Sequence, residues 1–213
     1  MNLAEVEKIY EERYEDALRS ISAKLEKFIR DHLTYLPRID AVKVRAKSIE
    51  KFIEKAKRVE NGILKYSDPI NQIQDQIGAR VVTFYLNDVE PIAEEMKRYF
   101  RAIEEKDVFP ESDSEFGYFG KHYIFFLPRD VTDGEPTDKC PKYFEFQIKT
   151  LFQHAWSEAN HDLGYKPNSG LSSEQRRKIA FTSAQAWGAD HMFDELFLEM
   201  GKGFKKFPKS EEN

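Results

Sequence analysis

From Phe144 to Lys149 the chain alternates without a break between apolar and polar side chains, Phe144-Glu145-Phe146-Gln147-Ile148-Lys149. A period of two is the repeat of a β-strand, so Phe144, Phe146 and Ile148 share one face and Glu145, Gln147 and Lys149 the other. A slip of one residue would bury the charges and expose the rings, so the register of this strand is strongly specified. Such a strand needs paired neighbours and a layer covering its apolar face. Two readings of the polar face stand side by side: the wet side of an antiparallel sheet, or the floor of a polar site.

Neighbours are legible elsewhere. Residues 122–127 and 142–148 read as strands, separated by a loop containing Pro128, Asp133-Gly134, Pro136 and Pro141. Residues 77–86 are rich in β-branched and aromatic side chains and precede Asn87-Asp88, a turn or cap signal, after which Ile92, Ala93, Met96 and Tyr99 recur at helical spacing. A short strand around Val42 and Val44 runs into a helix over residues 48–58, and a weaker strand lies around residues 100–106. Helices dominate both ends. Tyr10, Tyr14, Leu18, Ile21, Leu25 and Phe28 mark an amphipathic helix that ends before Pro37. Residues 151–163 and 172–200 follow as helices, the second opening with Ser172 and Gln175 at capping-box spacing. The expected fold is one α+β domain over residues 1–201: an N-terminal helix in 1–36, a core over 41–166 with a mixed, mainly antiparallel sheet, and a C-terminal helix over 172–201. Residues 202–213 form a flexible tail.

A net charge of −5 argues against a surface built wholly for nucleic acid, which needs concentrated lysine and arginine, but leaves room for a local basic pocket. Cys140 is the single cysteine, which removes disulfides and cysteine zinc sites and fits a reducing compartment. The start, Met1-Asn2-Leu3-Ala4-Glu5, lacks the basic and apolar runs of a signal peptide, and no apolar stretch approaches the roughly 18 residues of a membrane span. A cytoplasmic location without membrane association is expected.

Four constellations could carry chemistry. Lys47, Lys51 and Lys55, at i, i+4 and i+8 beside Arg45, form a row that could follow a polyphosphate or be a solvated helix face. Asp75 lies just before a strand that carries Arg80, where a carboxylate can hold a hard cation such as Mg²⁺ or simply shape a turn. The run Phe116-Gly117-Tyr118-Phe119-Gly120-Lys121-His122 combines close backbone approach with stacking and hydrogen-bonding side chains, or is a plain loop entering a strand. His154, Glu158 and His161 share a helix face but lack the spacing of a zinc protease, and no structural metal is assigned to them. The phosphate loop of P-loop enzymes and the glycine fingerprint of dinucleotide folds are both absent from the sequence, so ATP binding would need another design.

Taken in order, Arg45-Ala46-Lys47, Asp75-x-x-Gly78-x-Arg80, Gly117-Tyr118-x-x-x-His122, Glu145-Phe146-Gln147-Ile148-Lys149-Thr150 and Gln153-His154-Ala155-Trp156 resemble the successive motifs of the RelA/SpoT synthetase domain. The resemblance spans roughly residues 45–166 and implies a nucleotidyltransferase-like fold with a mixed sheet flanked by helices. It implies an enzyme that moves pyrophosphate from ATP to the 3′-hydroxyl of GDP or GTP, making (p)ppGpp and AMP.

By this likeness Arg45 and Arg80 sandwich adenine, Lys47, Lys51 and Lys55 serve ATP, and Asp75 and Glu145 are catalytic and hold Mg²⁺. Glu145 also helps deprotonate the 3′-hydroxyl. Tyr118 stacks on guanine, with Lys121, His122 and Gln147 as further acceptor-binding residues. The chain departs from the family pattern at Phe116, at Phe119-Gly120-Lys121 and at Lys51, mostly on the acceptor loop. Alternative acceptors follow from that: the 3′ end of tRNA, in a toxic member with a neighbouring antitoxin, or an adenine nucleotide. A catalytically inactive nucleotide-binding or interaction module is a third reading. A hydrolase activity is not expected, since about 44 residues precede Arg45. Short members of the family assemble through terminal helices, commonly as tetramers, and the apolar excess at Ile179, Trp187, Met192, Phe193, Leu196 and Phe197 implies a homo-oligomer.

Overall fold

The computed structural model describes residues 2–108, 116, 120–164 and 170–201. Its centre is the alternating segment, which forms strand β7 (Tyr143–Thr150). The other strands are β1 (Ile39–Ala46), β2 (Val59–Glu60), β3 (Ile63–Leu64), β4 (Ile77–Thr83), β5 (Ala102–Val108) and β6 (Gly120–Phe126). Five of them make one sheet in the order β1-β4-β7-β6-β5. The β4–β7 pair is parallel and the other three pairs are antiparallel. The mixed, mainly antiparallel sheet expected from the sequence is therefore what forms.

Period two sorts the sheet into two faces. Val42, Ala79, Val81, Tyr123, Phe125, Phe144, Phe146 and Ile148 are all buried on the apolar back. Helix α1, made of the segments Leu3–Arg13 and Arg19–Leu33 joined by a π-helical turn over Tyr14–Leu18, adds Ile21, Leu25, Ile29 and Leu33 to the same core. Helix α2 (Ile49–Ala56) contributes Phe52, and α3 (Val89–Tyr99) contributes Ile92, Ala93 and Met96. Two further helices follow, α4 (Leu151–Gly164) and α5 (Ser173–Glu199). The capping box at the start of α5 forms as expected: Gln175 N donates to Ser172 Oγ at 3.2 Å and Ser172 N to Gln175 Oε1 at 2.8 Å.

Several boundaries differ from the sequence reading. Strand β4 stops at Thr83 because Leu86–Asp88 folds into a short 3₁₀ turn. Asp88 occupies the N-cap position of α3 but its side chain makes no capping bond; the carboxylate is buried and takes Arg38 bidentately, with Nη2 at 2.6 Å and Nε at 3.0 Å. The β2–β3 hairpin turns at Asn61 and Gly62, both at positive φ, the residue pair such turns favour. Residues 202–213, expected as a tail, lie outside the described residues.

One buried cation ties α1 to the segment before β4. Arg13 Nη1 donates to the Ile70 carbonyl at 3.0 Å and to Gln76 Oε1 at 3.1 Å, while Nη2 reaches the Asp138 carbonyl at 3.4 Å. Gln76 Nε2 donates in turn to the carbonyls of Ile70 and Ile73 at 2.7 and 3.0 Å. Replacing Arg13 with methionine keeps bulk but strands Gln76 Oε1 and the Asp138 carbonyl, while the Ile70 carbonyl keeps only its bond from Gln76 Nε2. Arg13→Met is expected to lower unfolding stability by about 3 kcal/mol in urea denaturation.

Candidate functional site

Strand register builds the polar face rung by rung. Lys43 pairs with Arg80, Arg80 with Gln147, and Gln147 with His122. The next rung runs from Arg45 through Gly78 to Glu145. A Cβ at Gly78 would meet nothing within 4 Å, so this rung has an open middle between a cation and a carboxylate. All of these except His122 join Lys47, Ser48, Lys51, Asp75, His154 and Glu158 in lining a cleft of about 400 Å³.

Asp75 is the charge centre of one end. Lys47 Nζ lies 3.0 Å and Lys55 Nζ 2.8 Å from its Oδ2. Lys47 is fixed by backbone on both sides: its N–H donates to the Gln76 carbonyl at 2.8 Å, and its carbonyl accepts from Tyr10 Oη at 2.8 Å. The Tyr10 ring stacks on Phe52 of α2, with centroids 3.6 Å apart, so α1 and α2 hold the junction that carries Lys47. Ser48 Oγ caps α2 by accepting from Lys51 N, and the helical repeat then brings Lys55 back over Asp75. Burial penalises the charge on Asp75, but the two ammonium groups outweigh it and hold the carboxyl below its ordinary value. Its second oxygen, Oδ1, is buried without a hydrogen-bond partner among the described residues.

Glu145 faces the same cleft. Burial and the charge of Asp75 both work against its ionisation, while His122, whose Nδ1 is 3.3 Å from Oε1, and Gln147 favour it, and the balance lies below the ordinary value. Both carboxylates are thus ionised at neutral pH. Two hard oxygen donors facing one cleft, one with an orphaned buried oxygen, fit a divalent cation that keeps its remaining positions for phosphate and water.

The opposite end is organised by Arg80. Its Nη1 donates to Glu158 Oε1 at 2.5 Å and lies 3.2 Å from His154 Nδ1. Lys149, on the polar face of β7, is buried and donates to Ser157 Oγ at 2.9 Å. Burial first, then Arg80, pull its pKa down to about 7.

Of the residues singled out in the sequence, Arg45, Lys47, Lys51, Asp75, Arg80, Glu145 and Gln147 line the cleft, while Lys55 and His122 reach its carboxylates. Lys121 does not join them. Adjacent strand residues point to opposite faces, so it lies on the back of the sheet, with Nζ 2.6 Å from Glu90 Oε2. Tyr118 lies outside the described residues. Lys43, Ser48, His154 and Glu158 were not read as part of this site. Lys43 is within reach of the sequence, two residues before Arg45 on the same face of a strand; His154 falls in the family-like run Gln153-His154-Ala155-Trp156, and Glu158 one helical turn beyond it.

The Asp75 cluster has a pH signature. A carboxyl whose folded value lies below its unfolded one contributes stability that is complete above the ordinary aspartate value of 3.8 and is lost as pH falls through the lower folded value. The difference in melting temperature between the wild-type chain and Asp75→Asn is therefore expected to be constant above about pH 5 and to shrink below pH 4 in thermal melts across that range.

Residues 44–170 match the family model described as the region found in RelA / SpoT proteins. The GTP pyrophosphokinase YwaC of Bacillus subtilis (strain 168) is 24% identical over 166 residues, covering 77% of this chain and 74% of the relative. Among solved structures, small alarmone synthetase 1 from Bacillus subtilis bound to its product pppGpp superposes with a TM-score of 0.67 at 24% identity, over 89% of this chain and 95% of that one. A GTP pyrophosphokinase family protein from Streptococcus pneumoniae gives 0.66 at 26% identity, over 84% and 86%. With more than half its length matched by the family model, and a sheet and flanking helices that superpose on these folds, the chain belongs to the RelA/SpoT family.

Proposed function

We propose that the cleft binds ATP with a divalent cation and transfers its pyrophosphoryl group to the 3′-hydroxyl of GDP or GTP, releasing AMP and forming (p)ppGpp. The observation that carries this reading is the convergence of Asp75 and Glu145 with Arg45, Lys47, Lys51 and Arg80 in one cleft. A phosphoryl-type transfer asks a protein mainly for positioning and for charge where charge develops. The relatives that carry the names GTP pyrophosphokinase and small alarmone synthetase support the reaction class.

In this reading the planar guanidinium groups of Arg45 and Arg80 stack on the adenine, across the gap left by Gly78. Lys47, Lys51 and Lys55 draw the phosphates along α2. Asp75 and Glu145 would hold Mg²⁺, which when bound neutralises phosphate charge and orients the reacting group. The acceptor's 3′-oxygen bonds to the β-phosphorus as the bond from that phosphorus to the α,β-bridging oxygen breaks. AMP leaves, and the hydroxyl proton passes to Glu145, which His122 and Gln147 keep in its ionised, accepting form. Tyr118 is assigned to the guanine on sequence grounds, with His122 and Gln147 beside the acceptor. Self-association is assigned to α5, whose Trp187, Met192, Phe193 and Leu196 are exposed.

Chromatography of reactions offering ATP and Mg²⁺ with GDP, GTP, an adenine nucleotide or deacylated tRNA tests the proposal. AMP and a 3′-pyrophosphorylated guanine nucleotide are expected; product from tRNA or adenine nucleotide alone would overturn the acceptor, and no AMP from any mixture would overturn the reaction. Glu145→Gln is expected to lower kcat about 10³-fold while its melting temperature stays near wild type. Arg80→Ala is expected to raise the KM for ATP about tenfold, the loss of one stacked, charge-bearing partner.

A further inference from the structure

Behind the turn that carries Asp75, between α1, the residues leading into β4 and the loop from β6 to β7, lies a cavity of about 150 Å³. Arg13, Gln74, Gln76, Asp138, Cys140 and Lys142 are among its walls. Arg13 is 7% exposed, and its hydrogen bonds, to the Ile70 and Asp138 carbonyls and to Gln76 Oε1, all go to neutral oxygens. Its Nε is buried with no hydrogen-bond partner among the described residues. The charges of Asp68 and Asp138 favour the guanidinium without forming an ion pair with it; burial outweighs them, and its pKa falls below the ordinary value.

We infer that this cavity is a binding site for a small oxyanion, held by the Arg13 Nε–H and the guanidinium charge. A buried cation is costly unless it is paired, and a buried N–H is costly unless it has an acceptor. Water would accept from Nε but leave the charge unpaired, and a cation would be repelled; an anion meets both needs. Gln74, Thr137 and Lys142 supply further donors on the same walls, and the Lys142 ammonium offsets the Asp138 carboxylate. The volume lies below the roughly 300–1,000 Å³ of sites for drug-sized ligands, which leaves room for inorganic phosphate or a short carboxylate and not for a nucleotide. The cavity is tied to the cleft by backbone: Gln76, which Arg13 holds, directly follows Asp75, and its carbonyl takes the Lys47 N–H at 2.8 Å. An anion on Arg13 thus stiffens the turn that presents one carboxylate of the cleft and the lysine paired with it.

The site does not depend on the proposed reaction, so it is tested without ATP, acceptor or metal. Cys140 is the single cysteine of the chain and lines this cavity, not the cleft, so its alkylation by iodoacetamide in the full chain reports occupancy here. Burial already pushes the Cys140 thiol up, and a neighbouring anion both covers the sulfur and disfavours its reactive thiolate. Inorganic phosphate, titrated at an ionic strength held constant with the potassium salt of a bulky sulfonate buffer, is expected to slow alkylation saturably, by about fivefold. Acetate is the second arm: protection by either probe upholds the site, and the tighter of the two gives the class of oxyanion it takes. Gln74→Glu, which sets a carboxylate in the wall, is expected to remove the protection with the circular dichroism melt still cooperative. Arg13→Met is expected to remove it too, and where that variant fails to fold Gln74→Glu decides. Lys51→Ala, in the catalytic cleft, is expected to leave the protection in place. No saturable protection by phosphate or acetate, protection retained in Gln74→Glu, or protection lost in Lys51→Ala would overturn the site.

Discussion

The arrangement of the cleft depends on one parallel pairing in a sheet that is otherwise antiparallel. Because β4 and β7 run the same way, with Gly78 opposite Glu145 and Arg80 opposite Gln147, the segment entering β4 and the first residues of β7 lie at the same end. Asp75 precedes β4 and Glu145 is the third residue of β7, so the two carboxylates share an end. An antiparallel pairing of these strands would send them to opposite edges. Parallel neighbours require a long crossover, and here it is long enough to contain α3, β5 and β6. The last of these returns antiparallel to flank β7 and brings His122 beside Gln147 and Glu145.

Charge at this end is arranged before any substrate arrives. Two ionised carboxylates in a partly buried cleft repel each other, and each is stabilised by its own partner: Lys47 and Lys55 for Asp75, His122 for Glu145. The lysines are themselves held by backbone, through Tyr10, Gln76 and the cap at Ser48, so the ordering they need is supplied by α1 and α2. A chain with net charge −5 thereby keeps a concentrated cationic wall where an anion would lie. Arg13 acts one layer further back, fixing Gln76 and with it the turn that presents Asp75.

What could be read in the sequence follows period and spacing. The alternation in β7 gave the strand, its polar face and the shared side of Glu145, Gln147 and Lys149, and the i, i+4, i+8 lysines gave a helix face near Arg45. Strand order and the direction of pairing had no local signal, so the partnership of Asp75 with Lys55, or Arg80 with Glu158, could be suspected only through the family likeness. Lys121 and His122 were named together, but they are neighbours on a strand, and alternation alone places them on opposite faces of the sheet. The β2–β3 hairpin was also legible, since Asn61-Gly62 is a turn pair, but its strands, two residues each, carry no period to notice. Nothing in the α1 sequence marks the π-turn at Tyr14–Leu18, which directly follows Arg13.

The last helix shows how polar anchoring changes the meaning of an apolar sequence. Along α5, Asp190 accepts from Thr150, Asp194 Oδ1 accepts from the Asn87 N–H at 2.7 Å, and Phe197 stacks on Tyr85 at 4.3 Å beneath the Arg38 guanidinium at 4.6 Å. These residues are four and three apart, so they form one stripe, and it is this largely polar stripe that meets the sheet domain. A helix normally turns its apolar side inward. With two of the three inward positions taken by carboxylates, Met192, Phe193 and Leu196 are left on the outside, each about half exposed or more. The apolar excess that the sequence displays is therefore a consequence of how α5 is fastened. That surface remains available because burying it against the core would unpair two carboxylates, at a cost of about 1–3 kcal/mol each.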